Sequence, residues 1–397
     1  MSPTYLKLVQ QECSDLLQQG LIEPTKLDWA CQSFYVEKWY KIIRKKKRLV
    51  IDYQPLNCFL QDDKFPLPKI QSLFIHLYDA KVFSKFDLKA GFWQLGIDPS
   101  DRHKTAFCIP TGHYQWTVMP FVLKVAPSLF QKAMTKIFES ILHHTLVYND
   151  DILLFSKDNV AHQKLLDHFL TLVNSHGITL SEKKSMLGHS TIEFLGMFLE
   201  DGCYRPGPHI AQELLYFPNE HLTKKQIQQF LGIINYLRDF LPHVSVHTSQ
   251  LSKMLKKSPF WDPDQTFVVQ HLKLIAQNPP ALKIPSTGQR ILQTDASDEY
   301  WGAVLLEFID DKELFCAHAS GQFKDSEKHY HVIYKEILAI KYGIKKFKFH
   351  LIGHHFHIRL DNSSFPKILE FKNRTLPDKQ LLRLKTWFSQ YDFSVNT

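Results

Sequence analysis

Apolar residues recur at helical spacing in several stretches of the chain. Near the N-terminus they include Leu6, Val9 and Cys13, and Gly20 follows as a stop signal, which predicts a helix over 4–20. In the stretch 222–241, Thr223 and Gln226 have the spacing of a capping box. The same reasoning predicts further helices over 126–142, 161–177 and 331–347.

Other stretches have the short, alternating or wholly apolar pattern of strands. In the first half of the chain these strands are predicted over 33–39, 48–54, 82–88, 114–119, 146–148 and 152–156. Mixed with two helices, they predict an α+β fold with antiparallel strands on one side and helices on the other. The Lys-rich run 45–48 lies between the first two strands, where a basic hairpin tip would suit contact with phosphate.

A second α/β unit is predicted in the last quarter of the chain. The Pro- and Asn-rich stretch QNPPALKIPSTG, residues 277–288, is the best candidate for a linker. Beyond it, strands are predicted over 291–297, 301–308, 314–321 and 356–363, with the helix over 331–347 before the last strand. We therefore expect breaks after residues 210, 276 and 288.

Composition indicates a soluble globular protein with a polyanionic partner. The 397 residues are 44% hydrophobic and 22% charged, and the formal net charge is +8. Six cysteines are scattered singly, which argues against a zinc site or a disulfide framework and for a reducing compartment. The apolar pattern leads us to expect no signal peptide, no membrane span and no membrane partner. The expected location is the cytoplasm, with the nucleus as an alternative.

Two adjacent carboxylates raise the question of chemistry. In the stretch LVYNDDILLF, Asp150 and Asp151 lie between strand-like segments. They could be only an acidic hairpin tip, or they could bind a hard divalent cation, since like charges raise each other's pKa unless a cation compensates them. Asp87 ends another strand and could simply cap its turn. Together, however, the three carboxylates form the set that two-metal nucleotidyl transfer needs.

Several motifs resemble reverse transcriptases in order and spacing. FSKFDLKAGFWQ, TAFCIPTGHYQWTVMPFVLKVAPSLFQ and LVYNDDILLFS resemble the palm motifs of plant pararetroviruses (caulimovirus-like) and related long-terminal-repeat retroelements. KKRLVIDYQPLN resembles the fingers motif, EFLGMFLEDG the primer grip and LTKKQIQQFLGIINYLRDFLP the thumb. The resemblance implies a right-hand polymerase followed by an α/β RNase H-like domain. The expected domains are fingers and palm in 1–210, thumb in 211–276, a linker in 277–288 and the RNase H-like domain in 289–397.

The resemblance also assigns roles to individual residues. It implies that the metal ligands of the polymerase site are Asp87, Asp150 and Asp151. The residues that it places at the incoming nucleotide are Arg48, Phe92, Phe121, Lys124 and Tyr148. Of these, Arg48 would contact phosphates, and Phe92 would lie beneath the sugar and exclude a 2′-hydroxyl.

A second carboxylate set is expected in the RNase H-like domain. It consists of Asp295, Glu336 and Asp361, which come from two strands and a helix. Glu336 faces the apolar side of its helix, where a carboxylate is either paired or functional. TDASDEYWG and EKHYHVIYKE resemble the pararetroviral RNase H motifs. The implied cofactor is Mg²⁺, two ions per active site, with Mn²⁺ as a substitute. The implied partners are an RNA template, a DNA primer/template, an RNA–DNA hybrid and deoxynucleoside triphosphates.

The sequence departs from this family in four places. Asn149 stands where an apolar residue is usual, but Asn tolerates a positive φ, so we expect the turn to survive. Val122 replaces a Gly, and we expect it to crowd the nucleotide or template. The chain stops at Thr397, before the helix that carries a fourth RNase H carboxylate, and no upstream protease motif is present. The alternative function is therefore that of an endogenous relic that folds and binds nucleic acid without efficient catalysis.

Overall fold

A computed structural model describes residues 3–37, 47–257, 260–360 and 379–396. The strands are β1 Ile22–Pro24, β2 Cys31–Glu37, β3 Lys47–Ile51, β4 Val82–Asp87, β5 Phe107–Ile109, β6 Gly112–Trp116, β7 Thr145–Tyr148, β8 Asp151–Ser156, β9 Met186–His189, β10 Thr191–Phe194, β11 Met197–Glu200, β12 Cys203–Pro206, β13 Leu282–Lys283, β14 Gln289–Ala296, β15 Tyr300–Ile309, β16 Lys312–Gln322, β17 Phe356–Arg359 and β18 Phe393–Asn396. The helices are α1 Pro3–Gln18, α2 Gln54–Phe59, α3 Ile70–Phe74, α4 Pro99–Arg102, α5 Ala126–Ile137, α6 Asn159–Ser175, α7 Pro208–Leu215, α8 Lys224–Tyr236, α9 Val244–Lys257, α10 Pro263–Gln277, α11 Asp325–Lys328, α12 Val332–Lys346, α13 Lys348–Leu351 and α14 Lys379–Phe388.

The chain forms two compact units. The first unit consists of residues 1–69 and 83–189, and the second of residues 70–82 and 190–397. These units do not divide at 277–288, because this segment contains β13, which pairs with β12 in the same unit. The finer division into fingers, palm, thumb and RNase H-like domain stays a prediction.

The first unit contains two sheets. One has the strand order β1-β6-β5-β2-β3, and the other has the order β7-β8-β4-β9. Helix α1 buries Val9 and Cys13 in the core of the first sheet, as the sequence pattern predicts. Helices α5 and α6 bury Phe130 and Phe169 in the core that contains Phe86, which lies one residue before Asp87.

A buried hydrogen-bond chain ties the second sheet of this unit to α6. His162 on α6 is hydrogen-bonded through Nε2 to Ser84 Oγ at 2.7 Å and through Nδ1 to Ser156 Oγ at 2.9 Å. Ser84 lies on β4 and Ser156 ends β8, so one imidazole ring fixes both strands. Burial lowers the pKa of His162, which keeps the ring neutral. This arrangement holds the two strands that carry Asp87 and Asp151 in a fixed register.

The second unit contains the helices α7–α10 and two further sheets. The sheet orders are β10-β11-β12-β13 and β16-β15-β14-β17-β18. Helix α8 begins with the predicted capping box, in which the side chains of Thr223 and Gln226 each bond the other residue's backbone amide. Helix α12 packs on β14 and β15 so closely that a Cβ added at Gly343 would lie 3.1 Å from Ala303 Cβ. Among the described residues, no helix has the length and apolar character to cross a bilayer.

Candidate active site

The ends of three strands bring Asp87, Asp150 and Asp151 to one edge of a sheet. Asp87 is the last residue of β4, and Asp151 is the first residue of β8. The amide of Leu88 donates a hydrogen bond to the carbonyl of Asp150 at 3.0 Å, so the end of β4 is joined directly to the hairpin tip. Two stretches more than 60 residues apart in the sequence therefore present their carboxylates together.

The backbone at Asp87 is held from the other side by the segment 179–181. The amide of Ser181 donates to the carbonyl of Asp87 at 2.8 Å, and the amide of Lys89 donates to Thr179 O at 3.0 Å. The Gln94 side chain bonds both segments, because it donates to Lys89 O and Thr179 O and accepts from Thr179 N. Asp87 therefore projects from a backbone with little freedom to move.

The turn of the hairpin depends on a left-handed residue and a buried clamp. Asn149 has a φ of 50°, which confirms the expectation that Asn allows the turn to survive. Its amide donates to Gln131 Oε1 at 2.9 Å, and Gln131 Nε2 donates to Val147 O at 2.9 Å. Gln131 is buried on α5, so this helix fixes the position of the hairpin tip.

Burial and neighbouring carboxylates disfavour the ionised forms of Asp150 and Asp151. The pKa of Asp150 is raised, mainly by burial and then by Asp87 and Asp151. Burial also raises the pKa of Asp151, while Lys85 opposes this shift. Asp150 Oδ1 is buried and has no hydrogen-bond partner among the described residues. The edge therefore favours a cation at the carboxylates.

Lys184 supplies a cation at Asp87. Its Nζ donates to Asp87 Oδ1 and Oδ2, both at 2.9 Å. The bond to Asp87 raises the pKa of Lys184, so the ammonium stays charged. The sequence analysis missed this residue, because Lys184 lies 97 positions from Asp87 and nothing in the local pattern TLSEKKS distinguishes it from a surface lysine.

The donor set fits a hard divalent cation, although it is not assembled as a complete metal cluster. Within the described residues, no group of three or more His, Cys, Asp or Glu side chains is arranged to hold a metal ion as it stands. At Asp87 the Lys184 ammonium engages both carboxylate oxygens. Mg²⁺ needs only two or three carboxylates and keeps several waters. The unpartnered Asp150 Oδ1 and the raised pKa values of Asp150 and Asp151 fit a cation as the partner of these carboxylates.

Two of the predicted nucleotide residues, Phe92 and Phe121, pack in an aromatic cluster. The Phe92 ring lies 5.3 Å from Phe121 and 5.1 Å from Phe130, measured between ring centroids. Lys124 Nζ forms an ion pair with Asp62 at 2.9 Å. Tyr148 is half-buried at the end of β7, where it pairs with Asp151.

Val122 and Arg48 are the subject of two further predictions for this pocket. The φ of Val122 lies outside the positive range, and its side chain is 41% exposed. The expected crowding of the nucleotide or template stays a prediction. The backbone of Arg48 lies in β3, opposite Val36. Its predicted contact with phosphate stays a prediction. Most of the Lys-rich run before it, like the rest of 38–46, lies outside the described residues.

The structure describes two of the three predicted RNase H carboxylates. Asp295 is exposed near the end of β14, and Glu336 is half-buried on α12. The start of α12 lies at this end of β14, because Lys335 Nζ bonds Asp298 Oδ1 at 3.1 Å. Asp361 lies outside the described residues, so the third member stays a prediction.

Two ranges of the chain match known protein families. Residues 37–199 match the family described as reverse transcriptase (RNA-dependent DNA polymerase). Residues 261–358 match the RNase H-like domain found in reverse transcriptase. A genome polyprotein of Petunia vein clearing virus is 56% identical over 396 residues, which are 100% of this chain and 18% of that polyprotein. The chain belongs to the reverse transcriptase family, as a pararetrovirus-type reverse transcriptase and RNase H segment.

This reverse transcriptase segment has further relatives. The enzymatic polyprotein of Cauliflower mosaic virus (strain Strasbourg) is 37% identical over 404 residues, covering 99% of this chain and 59% of the polyprotein. The segment thus spans less than two thirds of either viral polyprotein. Foamy viral protease-reverse transcriptase in complex with an RNA/DNA hybrid has a TM-score of 0.82 at 19% identity, covering 100% of this chain and 54% of that chain. The complex with dsDNA has a TM-score of 0.85 at 21% identity, covering 98% and 82%. The predicted fold class is confirmed.

Proposed function

We propose that this segment catalyses DNA synthesis on RNA and DNA templates, with Asp87, Asp150 and Asp151 as the metal-binding carboxylates. The observation that carries the proposal is the joining of the β4 end to the β7–β8 hairpin tip, where Leu88 N bonds Asp150 O. All three carboxylates also lie within residues 37–199, the range that matches the reverse transcriptase family. Two-metal nucleotidyl transfer needs such a set on a rigid support.

Each residue has a distinct part in this proposal. Asp87 and Asp150 would hold Mg²⁺, with Asp151 completing the acidic site and Mn²⁺ as a substitute ion. When bound, the metal would supply Lewis-acid stabilisation of the reacting phosphate oxygens. Phe92, supported by Phe121 and Phe130, would form the wall beneath the sugar and exclude a 2′-hydroxyl. Lys124, Tyr148 and Arg48 are assigned to the same incoming deoxynucleotide.

Nucleic acid is the proposed partner. The net charge of +8 favours a polyanion. The foamy viral relatives of this fold are described in complex with an RNA/DNA hybrid and with dsDNA. We extend these two substrates to the present chain, together with a primed RNA template.

The direct test is primer extension. The purified chain is mixed with a primed homopolymer template and deoxynucleotides, and with Mg²⁺, Mn²⁺ or a chelator. Extension that requires the divalent metal supports the proposal. Tight binding of primer/template without any extension would instead support the alternative, a relic that binds nucleic acid but does not catalyse.

We expect the Lys184→Met variant to bind Mg²⁺ at lower concentration than the parent. The Lys184 ammonium holds both oxygens of Asp87, so the metal has to displace it. The measurement is the rise in melting temperature during a Mg²⁺ titration without nucleotide. Lys183→Met is the matched control, because it removes the same charge from the exposed neighbouring position. Identical titration midpoints for both variants would contradict the displacement.

We further propose a metal-dependent RNase H activity that uses Asp295 and Glu336, with Asp361 assigned by resemblance. Asp295→Asn should then slow hybrid cleavage by about a hundredfold, since it weakens metal binding, and leave DNA synthesis unchanged. Asp311→Asn is the control, because Asp311 lies in the β15–β16 turn with a φ of 57° that Asn tolerates. The assay follows a labelled RNA strand in a hybrid. Equal cleavage by both variants, or none by the parent, would count against the assignment.

A further inference from the structure

Asn57, a residue of α2, holds the loop that carries the nucleotide residues. Its Nδ2 donates to Val122 O at 3.1 Å, and its Oδ1 accepts from Lys124 N at 2.9 Å. Both polar atoms of one side chain are therefore bonded to backbone groups of the same short loop. Since the bond at position 122 uses the carbonyl, it does not depend on which side chain stands there.

A second tie to the loop comes from the segment that follows α2, and it is weaker. Lys124 Nζ pairs with Asp62 Oδ1 at 2.9 Å, but the Asp62 side chain is 81% exposed. An ion pair in such an exposed position contributes little to stability, because water and salt screen it. Asn57 is half-buried and bonds the loop backbone at two positions, so its paired hydrogen bonds are the more extensive polar connection.

Packing beneath the loop does not replace these bonds. The residues of α2 are exposed or half-buried. A cavity of about 320 Å³ lies beside them. Its wall includes Leu56 and Leu60, together with Leu123 of the loop and Leu129 of α5. Leu123 packs against two hydrophobic clusters, but on the side of the cavity no contact of the described residues opposes a shift of the loop once its hydrogen bonds are removed.

Movement of the loop would reach the wall beneath the sugar. Phe121 precedes the two clamped positions, and its ring centroid lies 5.3 Å from Phe92 and 5.4 Å from Trp93. The Phe92 ring is thus confined between Phe121 and Phe130. If the loop shifts, one of the two supports of Phe92 shifts with it.

We infer that Asn57 is a positioning residue that sets the selectivity for deoxynucleotides over ribonucleotides. It acts through the 121–124 loop and the Phe121–Phe92 contact, without touching the nucleotide. The effect on nucleotide selectivity rests on the proposed polymerase function. The hydrogen bonds between Asn57 and the loop can be measured without it.

The first experiment measures the clamp by hydrogen exchange of the loop amides. In Asn57→Ala, the Lys124 amide loses its acceptor and should exchange about tenfold faster. In Asn57→Asp, the acceptor remains, so the same amide should stay close to parental protection while the bond to Val122 O is lost. Gln54→Ala, an exposed position on the same helix, is the control. Unchanged exchange in Asn57→Ala would overturn the clamp.

The second experiment compares incorporation of dNTP and rNTP by these variants. Asn57→Ala should lower the dNTP-to-rNTP ratio of kcat/KM about tenfold, mainly through a higher KM for dNTP. Asn57→Asp should be intermediate, and Gln54→Ala should match the parent. A purely structural role would reduce both substrates equally, and such a result would overturn the inference. If the parent makes no DNA, the proposed function fails, and the exchange result still decides whether the clamp exists.

Discussion

The Asp150→Asn variant should lose DNA synthesis by about a thousandfold and yet unfold at a higher temperature than the parent. The loss follows because an amide is a poor ligand for Mg²⁺, and a metal that stabilises the transition state by several kcal/mol is then held incorrectly. The gain in stability follows because Asp150 carries a charge that burial and two neighbouring carboxylates oppose. An activity loss with a stability gain cannot come from unfolding.

The stability gain should depend on pH in a defined direction. A carboxyl group whose folded pKa is raised favours the folded state below its unfolded pKa and loses that contribution as the pH rises through the folded pKa. The ionised Asp150 therefore destabilises the metal-free fold at neutral pH, and replacing it with Asn removes this cost. The difference in melting temperature should be largest at neutral pH and should shrink as the pH falls towards the ordinary range of Asp.

The control is Asp158→Asn in the same unit. Asp158 caps α6 by accepting a hydrogen bond from Ala161 N at 2.8 Å, and Asn caps helices equally well. This variant removes the same charge and should keep both activity and melting temperature. Melting curves without metal and single-nucleotide incorporation with Mg²⁺ provide the two measurements. A lower melting temperature for Asp150→Asn would show that the carboxylate is stabilised by partners and not strained.

Local sequence signals predicted several elements of the fold and the turn of the candidate site. The helical spacing that includes Val9 and Cys13, the capping box at Thr223 and the tolerance of Asn149 for a positive φ each depend on residues a few positions apart. The strand segments around Asp87 and Asp150 were likewise predicted from short apolar runs. Such signals are readable because the physical cause and its effect lie in the same stretch of chain.

What the sequence did not reveal depends on contacts between distant segments. Lys184 reaches Asp87 across 97 positions, and Gln131 on α5 holds the amide of Asn149 across 18. Within 277–288, which the sequence predicts as a linker, β13 pairs with β12, a segment so distant in the chain that no local pattern reveals the pairing.

Replacing Gly91 with Ala should reduce DNA synthesis by about a hundredfold. Gly91 begins the turn Gly91–Gln94, and a Cβ there would overlap Asp150 Oδ1, lie 2.8 Å from Asp150 Cγ and lie 3.2 Å from Phe130 Cζ. The backbone at Gly91 is outside the left-handed region, so the obstacle is the carboxylate and the ring, not φ. The carboxylate has to move by about 1 Å, and a misplacement of that size costs on the order of a hundredfold in rate.

Gly96→Ala separates this effect from the general cost of replacing glycine. An added Cβ at Gly96 has Thr117 O as its nearest neighbour, 4.0 Å away, so this variant should synthesise DNA at the parental rate. The measurement is single-nucleotide incorporation at saturating template, together with the Mg²⁺ concentration needed for half-maximal rate, which should rise for Gly91→Ala alone. If Gly91→Ala matched Gly96→Ala in both quantities, the carboxylate of Asp150 would not need its observed position, and its role as a metal ligand would be refuted.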